Sequence, residues 1–212
     1  MLTLTCEPGA NRERAIAAAV SAVKRGDLVL VPTESVYALA TDPFSRRGVA
    51  ALLLAKQLPA GSPLPLMVPN ALTVQGIASG VTSVAKSLMQ AFWPGPLTLL
   101  LPAQPSLAWD LPTGLPVTVR MPIHPITLAI LERTGPMIVT SANAPGQVAP
   151  HSFDEALKQV GEAASVGMNA GPLNADELPS TVIDVTGEIP KILRVGALSI
   201  TLLREVVPEI TE

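Results

Sequence analysis

The chain has 212 residues, one cysteine, two histidines and a formal net charge of −3. That length suits one domain, 1–212, with a self-sufficient core. The lone Cys6 excludes an internal disulfide framework or a Cys-rich zinc site, and the mildly acidic balance excludes a surface devoted wholly to nucleic acid.

The amino-terminal stretch MLTLTCEPGANRER has no basic start followed by an apolar core, so no targeting segment is read there and a cytoplasmic location is expected. Asn11 is placed to cap a helix from Arg12 to Arg25, with Ile16, Ala19, Val20 and Val23 on one face. Gly26 ends it. The apolar run Leu28 to Val31 reads as a buried strand that stops at Pro32 and hands the chain to a polar motif loop, so its hydroxyls and carboxylate are expected at the carboxyl end of that strand, where open α/β sheets bind ligands.

Arg46 to Lys56 reads as an Ala- and Leu-rich helix, and Leu64 to Val68 as a short strand between prolines. Helical stretches at about Ala71 to Ser79 and Ser83 to Trp93 lead to the continuous apolar strand Leu97 to Leu101. A strand at Val117 to Met121, a helix from about Pro125 to Arg133 and a strand from Met137 to Thr140 follow. Ser152 and Glu155 have the spacing of a capping box for a helix over Phe153 to Val160. Ser180 to Val185 and Lys191 to Val195 read as a hairpin, and a last short helix starts near Ser199.

Strands alternating with helices predict an α/β fold, and the hairpin predicts a mixed sheet. The 22 prolines are about twice the usual share. Most must lie in turns or on edges, because an interior strand cannot give up its N–H. The longest apolar runs fall far short of the roughly 20 residues of a membrane span, so no membrane contact is expected.

A Ser-His-Asp hydrolase finds no support. His124, between Pro122 and Pro125, and His151, after Pro150, read as surface or capping residues, and no G-x-S-x-G elbow is present. H-E-x-x-H, Walker A and G-x-G-x-x-G patterns are absent as well. What remains is a set of hydroxyls, amides and isolated cations at element ends: Thr33, Tyr37, Lys56, Arg120, Ser141, Asn143, Ser180 and Arg194. Singly, each has an ordinary reading as a turn, cap or core residue. Together they repeat one placement, which points to a shared cleft. Arg120, set after an apolar strand, needs a carboxylate or phosphate partner if buried.

In order along the chain, VPTESVYAL at 31–39, Lys56, PLPLMV at 63–68, WPGPLTLLL at 93–101, VTVRMPIHP at 117–125, VTSANAPG at 139–146, STVIDV at 180–185 and ILRVGALS at 192–199 resemble the YrdC-like family. These are the threonylcarbamoyl-AMP synthases that begin synthesis of N6-threonylcarbamoyladenosine in tRNA. The resemblance implies a twisted mixed open sheet flanked by helices, the fold also seen in dihydroxybutanone-phosphate synthase. It further implies a cavity for ATP, L-threonine and Mg2+. Carried onto this chain, Thr33, Arg120 and Ser180 would contact threonine, with Arg120 on its carboxylate, and Lys56, Ser141, Asn143 and Arg194 would hold ATP. Tyr37 would line the cavity between them, and Lys56 and Arg120 would be the catalytic cations; no metal-ligating residue is assigned.

The implied reaction condenses threonine and bicarbonate to a carbamate that attacks the α-phosphate of ATP. The product then passes to a downstream threonylcarbamoyl transferase complex. Three positions depart from the family pattern. Its K-x-R reads Lys56-Gln57-Leu58, Ala38 replaces a usual glycine, and Pro69 follows Val68 where a histidine is often close by. With the arginine lost, a non-catalytic or weakly active paralogue that binds double-stranded RNA or nucleotide in the same cleft is the rival reading, and contact with tRNA is a further expectation. Arg46 and Arg47 are the candidate substitutes for the missing cation.

Overall fold

The ten strands among the described residues all join one mixed sheet. The protein is seen in a computed structural model that describes residues 1–6 and 9–212. In chain order the first half contains β1 (Leu2–Thr5), α1 (Ala10–Lys24), β2 (Val29–Pro32), β3 (Tyr37–Thr41), α2 (Arg46–Ala55), β4 (Leu66–Met67), α3 (Ala71–Ile77), α4 (Ser83–Phe92) and β5 (Leu97–Leu101). The second half contains β6 (Val117–Arg120), α5 (Pro125–Thr134), β7 (Met137–Ser141), α6 (Phe153–Val160), a 3-10 turn (Gly161–Ala163), β8 (Val166–Asn169), β9 (Thr181–Asp184), β10 (Lys191–Arg194) and α7 (Ile200–Val206).

Across the sheet the order is β1-β8-β2-β3-β7-β4-β6-β5-β9-β10. Parallel pairs (β1/β8, β2/β8, β4/β6, β5/β9) alternate with antiparallel ones such as β3/β7 and β5/β6. The expected α/β class and mixed sheet are therefore present, including the β9–β10 hairpin. No helix among the described residues is long and apolar enough to cross a membrane.

Side chains alternate between sheet faces, and the two faces are covered unequally. On the first, Leu39, Leu66, Leu99, Val119, Ile138 and Ile183 pack with residues of α2, α3, α4, α6 and α7 into the larger core. On the second, Val29, Val31, Ala38, Ala40, Met137 and Val139 pack beneath α1 and α5. Those two helices serve only part of that face. β2 and β3 are buried at every residue, whereas β5, β6 and β9 alternate buried with half-buried positions. The second face is thus left open over β5, β6 and β9.

Several local expectations are corrected. Asn11 does not cap α1: the helix begins at Ala10, and the carbonyl of Gly9 accepts from the N–H groups of Arg12 and Glu13. Gly9 can fill that position because its φ of 102° lies in the region a residue without a Cβ tolerates. The stretch after Pro32 is not loop throughout. After a turn at 33–36 it returns as β3, pairing antiparallel with β2. The 64–68 strand shrinks to Leu66–Met67, with Pro65 before it unable to donate. β1 and β8, which pair with each other, lie where the sequence reading placed no strand. The Ser152–Glu155 capping box forms as expected.

Candidate active site

Over the open half of the second face lies a cavity of about 580 Å³. Its floor follows from register. Arg120 on β6 is opposite Thr98 on β5, and Thr98 is opposite Val182 on β9, so all three project to one side. Thr118 joins them two residues from Arg120. Thr33 and Ser35 in the β2–β3 turn, Ser141 at the end of β7, and Ser180 and Arg194 at the hairpin add to the polar lining. The floor of the cavity is therefore a sheet face, bordered by residues at the strand ends. The strand-end residues enter it because they border the same face.

Two polar clusters stand in and beside this cavity. In the first, Thr98 Oγ1 and Ser180 Oγ are 2.8 Å apart, and Arg194 Nη2 donates to Ser180 O at 2.8 Å and to Ser180 Oγ at 3.2 Å. Gly196 permits this approach: a β-carbon there would stand 2.1 Å from the Pro179 carbonyl oxygen. Arg120 lies close by, its Nε donating to Gly95 O at 3.0 Å and its Nη2 standing 3.0 Å from Glu34 Oε2. Burial, opposed by the charge of Glu34, lowers the pKa of Arg120, and the nearby charge of Arg194 lowers it further. A guanidinium starts so far above neutrality that it stays charged.

In the second cluster, Lys56 Nζ donates to Ser141 O (2.8 Å), Asn143 O (2.6 Å) and Asn143 Oδ1 (2.8 Å). An ammonium has three protons, so all of its donors are engaged. Ser141 Oγ donates to the same Asn143 Oδ1 at 2.6 Å, and Asn143 Nδ2 reaches Gln147 O at 2.9 Å. Lys56 therefore fixes the 141–143 turn. Burial lowers its pKa from the usual lysine value.

Thr33, Arg120, Ser141, Ser180 and Arg194 line the cavity together, with Lys56 and Asn143 bonded to its edge through Ser141. Tyr37 does not. It is fully buried in the larger core, edge-on to Phe153, with its hydroxyl donating to Gly171 O at 2.7 Å and accepting from Ala170 N. The alternation of β3 turns Tyr37 away from the face that Ala38 presents to the cavity. Nor do Arg46 and Arg47 replace the cation missing at Leu58. Arg47 pairs with Asp27 and Arg46 approaches Asp110 at 3.8 Å, and neither lines the cavity.

The sequence reading also passed over residues that the structure brings in. Thr98 was absorbed into an apolar strand, although a single hydroxyl in LTLLL marks the face that leaves the core. His151, read as a surface or capping residue, lines the cavity and bonds Ser35 O through Nδ1 at 2.7 Å. Glu34 and Glu177 had been given no role; Glu177 is in the lining and favours the charge on Arg120. Among the described residues, no three His, Cys, Asp or Glu side chains gather in a way that could hold a metal ion.

Comparison with known proteins matches residues 21–196 to the Sua5/yciO/yrdC family model, described as "Telomere recombination". A Mycobacterium tuberculosis protein provisionally named a threonylcarbamoyl-AMP synthase is 38% identical over 205 residues, covering 96% of this chain and 94% of that one. The Bacillus subtilis threonylcarbamoyl-AMP synthase is 31% identical over 187 residues, 87% of this chain and 54% of the relative. Among solved structures, Pyrococcus abyssi Sua5 complexed with L-threonine superposes with a TM-score of 0.85 at 29% identity, covering all of this chain and 62% of that one. The chain thus spans nearly the whole mycobacterial relative but under two thirds of the other two.

Proposed function

We infer the activity from one premise: this chain belongs to the Sua5/yciO/yrdC family. It is a threonylcarbamoyl-AMP synthase, converting L-threonine, bicarbonate and ATP to L-threonylcarbamoyladenylate, pyrophosphate and water. The observation that carries this reading is the convergence of a half-buried guanidinium, a hydroxyl cluster and a lysine-braced Ser-x-Asn turn about one cavity.

The chemistry asks little of the protein as a nucleophile. Threonine and bicarbonate condense to a carbamate, whose oxygen is already anionic; it attacks the α-phosphorus, and the bond to pyrophosphate breaks. What the chain supplies is orientation and charge. Arg120 takes the threonine carboxylate, with Thr33 and Ser180 beside it. Arg194 and the Ser141–Asn143 turn face ATP, and Lys56 acts by holding that turn as well as by its charge. Magnesium enters with the triphosphate as part of the substrate and offsets its charge.

Leu58 places an aliphatic side chain where the family has an arginine. Removing one positioned donor from such a site costs about 2.7–4 kcal/mol of transition-state stabilisation, so turnover is expected to be slow. The acyl adenylate would be consumed by a threonylcarbamoyl transferase acting on tRNA, and a cytoplasmic location suits that role. Pyrophosphate release that requires ATP, magnesium, threonine and bicarbonate together tests the reading. Release that persists without threonine, or none with all four, overturns it.

A further inference from the structure

We propose that Glu34 is a positioning residue that locks the Arg120 guanidinium to the turn carrying Thr33, and so sets the affinity for the amino acid. The inference rests on the threonine-activating reading above. Its basis is a division of labour between the two carboxylate oxygens. Oε1 accepts from the Ile123 backbone N–H, and Oε2 stands 3.0 Å from Arg120 Nη2. Glu34 has a side chain only 6% exposed and stands outside the cavity lining. It pairs with the guanidinium without itself lining the cavity.

The rest of the turn is fixed as firmly. Thr33 Oγ1 donates to Val36 O at 2.6 Å, and the Ser35 carbonyl is held by His151 Nδ1 at 2.7 Å. Arg120 is held from a second direction by the Gly95 carbonyl. Glu34 therefore joins two binding elements, the β2–β3 turn and the end of β6, through an ion pair; among the described residues no hydrogen bond connects the two. A carboxylate this buried is costly unless paired, and removing its charge leaves the half-buried Arg120 with one neutral partner. An amide cannot replace it. Both oxygens face positive or donating groups, so a glutamine turns its NH2 toward either the Ile123 N–H or the guanidinium.

Glu34→Gln is the test. Displacement of a positioning group by about 1 Å can cost on the order of a hundredfold. We expect the KM for threonine to rise about tenfold in E34Q, the KM for ATP to stay within about twofold, and E34D, which keeps the charge, to recover part of the loss. Glu13→Gln, which breaks the exposed Glu13–Arg133 pair far from the cavity, should leave both constants unchanged. A threonine KM in E34Q equal to or below that of the parent protein, or an equal rise for threonine and ATP, overturns the proposal. So does failure of both E34Q and E34D to fold, since the pair would then be structural. If the parent protein itself releases no pyrophosphate, the activity is wrong, and calorimetric titration of parent and variants with threonine still decides whether Glu34 governs amino-acid binding.

Discussion

The two halves of the sheet are made of similar residues and do different work. In β2 and β3 every residue is buried, because α1 and α5 cover the face that α2 and α6 leave free. In β5, β6 and β9 one side packs into the larger core and the other holds Thr98, Thr118, Arg120 and Val182 half-buried over the cavity. What separates scaffold from site is the reach of two helices, not the composition of the strands. A polar side chain on the uncovered half meets solvent or ligand. The same side chain under α1 would be buried without a partner.

Substitutions on the two halves should therefore separate rate from stability. The largest effect expected is Arg120→Ala, which should lower threonine-dependent pyrophosphate release about a hundred- to thousandfold; an unchanged rate removes Arg120 from the chemistry. On the covered half, Leu30→Ala empties a fully buried position and should cost about 2–5 kcal/mol in stability by denaturant titration. Its turnover per folded molecule should equal the parent's, and a comparable loss of rate would break the division between halves.

Tyr37 sharpens the contrast through pH. Burial pushes its hydroxyl up to about 12 from an ordinary value of 10, so the folded state favours the neutral phenol. That stability is complete below pH 10 and is lost as pH rises toward 12, on the order of 2 kcal/mol across the window. Tyr37→Phe should flatten the part of the alkaline unfolding curve that Tyr37 contributes, with Cys6, raised to about 11 by burial, supplying the remainder. The smallest change in stability is expected at Leu58. Leu58 is 40% exposed, so Leu58→Arg should leave stability within about 0.5 kcal/mol while raising turnover. A fall in turnover would mean that no phosphate lies within its reach.

Much of this was legible before the structure. Periodicity marked α2, α4, α5 and α6, with the Ser152 capping box starting α6 at Phe153, because those signals act within a few residues. β1 and β8 were missed because their strand character depends on pairing with each other across most of the chain, and β8 offers only the short run VGMN. The candidate residues were found as strand-end groups, yet their convergence on a face depended on which strands became neighbours. β5 sits between β6 and β9, an arrangement the chain order does not state. Tyr37 went astray for a related reason. Once its loop becomes a strand, a shift of one position decides between cavity and core.

The floor of the cavity can be pictured as a grid. Successive anchor points repeat every second residue along a strand, roughly 6.6 Å, and every 4.7–4.9 Å from one strand to the next. Odd and even positions of β5, β6 and β9 are thus separately adjustable dials. The cavity floor can be reshaped at Thr98, Thr118 and Val182 by combinatorial libraries, while the core residues Leu97, Leu99, Val119 and Ile183 are held constant to preserve the framework.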